Sequence, residues 1–350
     1  PAVARASTRV LILFSGPYAR PDGLAAFLNK AGFEVEMLDN DPVTGGGAAG
    51  DILNDAVHNS LLRRVVAGEF LAIFAAPPCS TFSVSRFFEA RGSSDGGPPP
   101  VRSRKHVRGL PNVPAAHNRE LNTANAIVSR MAALLMAGFL VGTQFIVENP
   151  ADRGDTAHPK LFLTADHGPI WLMDEIKALA THYTGRLVTF PMCAFEAPWQ
   201  KYTSLMYSSG FDEWLSPLGN LTCDHSTHAK LAGGTVGANG TPSSETSAYP
   251  TNFNHYISLA VRSLRSSPSS SQPRLTSGDA DGDETVDPAV PRVKVSHDPA
   301  MPSVPRPAPP QPAPPTTRPP FGGAHEEAAA GPPHHDAENG GDGDDEPEAA

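Results

Sequence analysis

Apolar positions come in short blocks separated by polar punctuation, and the blocks change period along the chain. Arg9–Ser15 (RVLILFS) is an unbroken Leu/Ile/Val run closed by Gly16-Pro17, the pattern of a strand buried on both faces. Asp22–Ala31 sets Leu24, Phe27, Leu28 and Ala31 at helical spacing, with Gly32 where a C-cap falls. Glu34–Leu38 predicts a second strand ending at Asp39-Asn40-Asp41, and Asp51–Leu53 a short extended piece. Asp55–Ala67 carries Val57, Leu61, Leu62, Val65 and Val66 on one helical face. Phe70–Ala75 (FLAIFA) is a third strand, stopped by Pro77-Pro78. Residues 85–117, rich in Gly, Pro and Arg, predict a long loop, a feature that is functional or disordered when it occurs inside a domain. Asn118–Gly138 predicts an amphipathic helix and Thr143–Val147 a fourth strand ending at Glu148-Asn149-Pro150.

Strands alternating with helices through residue 150 imply an α/β fold, a Rossmann-like doubly wound and mostly parallel sheet with right-handed crossovers. Ligands in such sheets sit beyond the carboxyl ends of the strands. Gly16, Asp39, Cys79 and Glu148 all fall at predicted strand ends. Past residue 150 the pattern weakens: a helix at Glu175–Ala180, short strands at Leu187–Phe190, Leu205–Tyr207 and Leu221–Cys223, and a last helix at Tyr256–Leu264. The expected organisation is a domain over residues 8–264, with a core at 8–170, a small second lobe at 171–250 and a closing helix at 251–264.

Composition separates residues 265–350 from the rest. Ile, Leu and Phe nearly vanish there, and Pro, Ser, Gly and acids take over, so the stretch cannot bury enough apolar surface to offset its ordering entropy. It reads as a disordered Pro- and acid-rich linker, extended through Pro305–Pro320. Of the chain's 27 basic and 37 acidic residues, 6 and 15 lie in this stretch, so nearly all of the net charge of −10 belongs to it. The remainder is close to neutral, which leaves a nucleic-acid partner open to it. Cys79, Cys193 and Cys223 are too few and too scattered for a disulfide framework and suit a reducing, intracellular compartment. No apolar run reaches bilayer length, Met131–Val141 being the longest candidate. The first nine residues lack Met and lack a signal-peptide apolar region, so the chain reads as a piece of a longer product.

Cys79, in Ala76-Pro77-Pro78-Cys79-Ser80-Thr81-Phe82-Ser83, is a thiol held by two prolines directly after a strand, as a positioned nucleophile would be. The plainer alternative is a structural cysteine beside a proline-made turn. Glu148 follows an apolar strand and, taken alone, is an ordinary loop acid. Their order is more specific: thiol, long loop, amphipathic helix, strand, Glu-Asn. In that order the chain resembles the cytosine-5 DNA methyltransferase family. Pro78-Cys79 with Phe82-Ser83 resembles the family's nucleophile loop, and Glu148-Asn149 its Glu-Asn-Val motif. Leu13-Phe14-Ser15-Gly16 resembles its opening loop, and Gly50-Asp51-Ile52 the acidic segment after the second strand. The likeness covers roughly the first half of the chain. Compact methyltransferase-like domains of phages and mobile-element polyproteins resemble it further, through Cys193, Tyr202-Thr203, Cys223, His228 and Ala248-Tyr249-Pro250.

The resemblance implies an S-adenosylmethionine methyltransferase-type sheet in which Cys79 adds to cytosine C6, activating C5 for methylation. Glu148 would hydrogen-bond N3 and N4 from a desolvated site, and the base would be flipped out of double-stranded DNA. It implies cofactor contacts at Phe14, Ser15, Gly16, Asp39, Asp51 and Pro77, with Ser15 and Gly16 offering backbone N–H groups at a helix start. Asp41 competes with Asp39 for the ribose, and Asp51 reads equally as an N-cap. Arg86, Arg102, Arg104, Lys105 and Arg108, in the loop after Cys79, would meet DNA phosphates, against the alternative of a solvated basic loop. Cys193, Cys223, His225 and His228 hold the inventory of a zinc site, but their spacing is not that of a common zinc finger. A polar turn with one buried cysteine is the preferred reading there. The chain departs from the family at Ser80, where Gln is usual, at Pro150 in place of Val, and in the missing glycines of the opening loop. Those departures keep a second class in view: a catalytically idle, methyltransferase-like nucleic-acid-binding module, in either case nuclear in a eukaryote.

Overall fold

A computed structural model describes residues 7–87, 98–228 and 248–265. Expectations for the Pro- and acid-rich stretch from 266 onward, and for residues 1–6, 88–97 and 229–247, lie outside the described residues.

Strands β1 (Arg9–Leu13), β2 (Glu34–Leu38), β3 (Phe70–Ala75), β4 (Gln144–Pro150), β5 (Arg186–Pro191) and β6 (Tyr202–Tyr207) form one sheet in the order β2-β1-β3-β4-β6-β5. β2, β1, β3 and β4 pair in parallel, and β6 runs antiparallel to both β4 and β5. The fold is therefore a Rossmann-like α/β sheet, as the alternating pattern implies. Period-2 alternation explains its two faces: Val10 and Ile12 enter one core, Leu11 and Leu13 the other. Helices α1 (Leu24–Lys30) and α6 (Thr251–Ser263) cover the first face. Helices α2 (Asp55–Val66), α3 (Ala115–Leu140) and α4 (Asp174–His182) cover the second. A one-turn helix, α5 (Asp212–Leu215), follows β6 and adds Leu215 to the first core.

Several expectations are corrected. Asp51–Leu53 is not extended: a 3-10 turn at Gly47–Gly50 precedes it, and Gly50 is pressed so close to β2 that a Cβ would lie 2.1 Å from the Asp39 carbonyl. Leu221–Cys223 is not a strand. The supposed second lobe is built into the same sheet, because β5 and β6 pair onto β4. Helix α6 matches the closing helix expected at 251–264 and begins ahead of the Tyr256 pattern, since Pro250 at its N-cap sets the entry and Phe253, Ile257, Ala260 and Val261 form the buried face. Helix α3 is long and apolar enough to pass a length-and-composition test for membrane spans, contrary to the expectation. Its buried face, with Val128, Met131, Leu134 and Leu135, packs in the core against α2, α4, β3 and β4.

Candidate active site

The chain winds one way from β1 to β2 and the other way from β3 to β4, so the β1/β3 boundary is a topological switch point. Ala76 N–H still donates to Leu13 O there, 3.2 Å away, after which Pro77-Pro78 turns the chain off the sheet and presents Cys79. The Asn149 amide donates to Pro77 O at 3.0 Å, fastening this loop to the end of β4. Parallel pairing of Ala75 with Val147 places Glu148 one residue further along, beside Ala76.

Glu148 is 5% exposed and well furnished. Its Oε2 accepts from the Tyr249 hydroxyl at 2.6 Å. Its Oε1 accepts from the Thr203 hydroxyl at 3.3 Å and lies 3.7 Å from Lys201 Nζ. Lys201 and Thr203 reach it because β6 is reversed: the start of β6 lies beside the end of β4, with Thr203 opposite Pro150. Burial pushes the Cys79 thiol above its ordinary pKa; the nearby Lys201 ammonium pulls it down and Glu148 pushes it up. Half-buried Cys79 thus lies near buried Glu148 and the Lys201 ammonium, where the ends of β3 and β4 meet the start of β6. Tyr249 is held well above its ordinary value by burial and by the charge of Glu148, and so stays a donor. Lys201 and Tyr249 were missed as site residues. Both sit in sequence stretches with no strong period, and only the Ala248-Tyr249-Pro250 and Tyr202-Thr203 patterns point near them.

The basic loop faces inward more than outward, which corrects the phosphate-binding expectation for two of its residues. Arg86 is buried: it donates to Ser80 O at 2.6 Å, to Pro99 O at 3.1 Å and to both oxygens of Glu120 on α3. Burial raises the Glu120 carboxyl, but the hydrogen bonds from Arg86 and Ser80 outweigh it and hold the group below its usual value. Arg102, 2% exposed, lies 3.9 Å from the Phe82 ring centroid and donates to Thr81, Val107 O and Asn125. Arg104 pairs with Asp152 and Arg108 with Glu175. Lys105 is exposed and makes no ion pair or hydrogen bond among the described residues. Buried His167 completes the clamp: its Nδ1 accepts from Arg153 N–H, so Nε2 carries the proton given to Phe82 O at 2.8 Å. These side chains secure the loop that follows Cys79.

At the first strand end, Phe14 adopts φ +59°, a left-handed conformation that costs a non-glycine residue about 1 kcal/mol or more. The turn it makes sends Ser15 N–H to Leu38 O and Gly16 N–H to Asp39 Oδ2, so the two expected amide donors are engaged within the protein. Helix α1 begins only at Leu24, so these amides are not at a helix start. Asp39 also accepts from Asp41 N–H, while Asp41 itself closes the Val43-Thr44 turn. Asp51 accepts from Leu53 N–H; the N-cap of α2 is Asn54. Pro77 is buried. A small cleft of about 50 Å³, open to solvent, lies at this end of β1 and β3, lined by residues that include Ile12, Phe14, Arg20, Met37, Phe74 and Tyr249.

The four zinc candidates come together. Ligand atoms of Cys193, Cys223, His225 and His228 lie within 4.8 Å of one another. Cys193 is pushed up to about 11 by burial and its bond to Cys223. Burial also pushes Cys223 up, but bonds from His225, Cys193 and Gln200 bring it down to about 6.

No family model and no curated protein matches the chain. Fifteen solved chains match in structure. Among them is a triple-substituted DNMT2 from Spodoptera frugiperda, 11% identical, with a TM-score of 0.26 over 67% of this chain. The chain spans 57% of that protein's length, and an overlap this loose carries no weight for fold or chemistry.

Proposed function

We propose that the chain is an S-adenosylmethionine-dependent methyltransferase acting at C5 of cytosine in DNA through a covalent Cys79 adduct. The observation that carries this reading is the geometry at the switch point: Pro77-Pro78 turn Cys79 off the end of β3, the loop is fastened to Asn149, and the adjacent Glu148 lies buried, 3.7 Å from Lys201. Cytosine C5 is a poor nucleophile until something adds at C6. Cys79, as thiolate, forms the S–C6 bond and drives the ring's electron pair toward C5. Lys201 favours the thiolate, whose formation burial opposes. Glu148 hydrogen-bonds the N3/N4 edge, where charge develops, and shares its oxygens with Tyr249 and Thr203, which orient it. After methylation at C5, transfer of the C5 proton to a water acting as base re-forms the C5–C6 double bond, breaks the S–C6 bond and expels Cys79 as thiolate. A flipped base is required, since C6 of a stacked, paired cytosine is out of reach of a half-buried thiol. Among the described residues of the loop, exposed Lys105 and half-exposed Arg108 are the charges most available to a phosphate backbone.

The cleft at β1 and β3 offers the cofactor's adenosine apolar walls from Ile12, Met37 and Phe74 and a ring from Phe14, but at about 50 Å³ it has to widen to admit it, and Arg20 is already paired with Asp22. When bound, S-adenosylmethionine supplies an electrophilic methyl group. The test is trapping. An oligonucleotide carrying 5-fluorocytosine, with the cofactor, is expected to give an adduct mapping to Cys79 and lost in Cys79→Ala. An adduct on another residue overturns the site assignment.

One observation favours a second reading, an idle nucleic-acid-binding module: the Ser15 and Gly16 amides and the Asp39 carboxylate are already engaged. Calorimetry separates the two. No cofactor binding by the full chain at high micromolar concentration would leave the module.

A further inference from the structure

We propose that Cys193, Cys223, His225 and His228 form a closed, structural tetrahedral Zn²⁺ site that cross-links the β5–β6 turn to the segment at 221–228. This site stands apart from the proposed reaction and does not depend on it. Zinc binds thiolate sulfur at about 2.3 Å and imidazole nitrogen at about 2.0 Å, so ligand atoms on a tetrahedron's edges lie roughly 3.3–3.8 Å apart. Cys223 Sγ is 3.7 Å from His225 Nδ1 and 3.3 Å from His228 Nε2. All four ligand atoms lie within 4.8 Å of one another, so metal binding needs only a small contraction. The donors are two sulfurs and two ring nitrogens from the protein, leaving no position for water. That is the composition of a structural centre rather than a catalytic one. Gln200 donates to Cys223 Sγ at 3.2 Å, an outer contact of the type that orients a metal-bound thiolate.

No other packing logic brings these side chains together. His225 is exposed and Cys223 and His228 are half-exposed, so burial of apolar surface does not gather them. Their partners within the protein are chiefly one another. A disulfide between Cys193 and Cys223 would leave both imidazoles without a reason for facing the sulfur, and both cysteines are free.

The site's place in the fold gives it a purpose. Cys193 lies in the 3-10 turn Met192–Phe195, directly after β5, and Met192 N–H donates to Lys201 O at 2.8 Å. The cross-link would therefore brace the hairpin that delivers Lys201 to Glu148.

The full chain, purified under reductant without added metal or a histidine tag, is expected to hold stoichiometric zinc by inductively coupled plasma mass spectrometry. Replacement with Co²⁺ should give the intense visible bands of tetrahedral cobalt and a near-ultraviolet thiolate charge-transfer band. Both should be lost in Cys223→Ser and weakened in His228→Ala, and both kept in Cys79→Ser. Because the cobalt spectrum is read first on the unaltered chain, a variant that misfolds does not blur the result. A chain that carries no zinc and shows no tetrahedral cobalt bands overturns the proposal. So does a cobalt spectrum unchanged by both ligand substitutions, or a Cys193–Cys223 disulfide persisting under reductant.

Discussion

At Cys79 the sulfur's environment argues two ways at once: burial keeps the proton on, and Lys201 invites it off. Alkylation of Cys79 by iodoacetamide, followed by peptide mass spectrometry, should therefore show an apparent pKa above that of a free thiol, about 8.5. Lys201→Met should move it further up and slow alkylation at neutral pH. An unchanged profile would mean the ammonium does not reach the thiol. Because the folded-state pKa is raised, the folded chain keeps its proton while an unfolded thiol ionises. This group's stabilisation is thus fully present below the unfolded pKa and lost as pH rises through the folded one. Glu148 acts on the other side of the proposed adduct. Glu148→Gln should lower turnover by roughly 10²–10⁴-fold, the range of a lost acid–base or polarising group, with melting temperature changed far less than rate. Tyr249→Phe should lower turnover by a smaller factor, since Thr203 still holds Oε1.

At the scale of elements, the segment after the nucleophile behaves as a brace. Arg86 spans Ser80, Pro99 and Glu120, and Arg102 spans Thr81, Phe82 and Asn125. Arg102→Met should destabilise the chain by about 1–3 kcal/mol in urea unfolding, since it strips hydrogen bonds from buried Thr81 and half-buried Val107 and Asn125. Arg86→Met should cost about 2 kcal/mol, less than a fully buried pair because Glu120 is partly solvated. Glu120 sits below its usual pKa, so its contribution is present above the unfolded value and fades as pH falls through the folded one. Arg86→Met should flatten that acid limb. Lys105→Ala should leave stability unchanged while weakening DNA binding; equal losses in both would place Lys105 in the brace.

These elements also mark what the chain revealed before folding. The four parallel strands were legible because each is a short Val/Ile/Leu/Phe run between turn residues. Cys79 and Glu148 were legible because strand ends and motif order coincide. The inward turn of Arg86 and Arg102 was not, because composition distinguishes a basic loop from other loops but not which partners each guanidinium finds. Nor was Lys201, whose position depends on β6 running against its neighbours, a long-range pairing that local periodicity does not encode.

For the molecule as a whole, every core residue among those described lies before residue 266. Truncation after Thr276 should leave the melting temperature within about 2 °C by circular dichroism, since every core residue described lies earlier. A larger drop would mean the acidic stretch contributes to folding.

Because β6 lies between β4 and β5, and β5 joins the sheet through β6 alone, one edge of β4 and the whole of β5 stay unpaired until β6 has been made. During synthesis β4 and β5 would wait with unpaired edges, each a template for the wrong partner. Ribosome-stalled or truncated chains ending at Gln200 should accordingly aggregate, whereas chains extended through Arg265 should be soluble. The enclosure around Glu148 would thus be among the final features to assemble, and its completion would report that the whole sheet has closed.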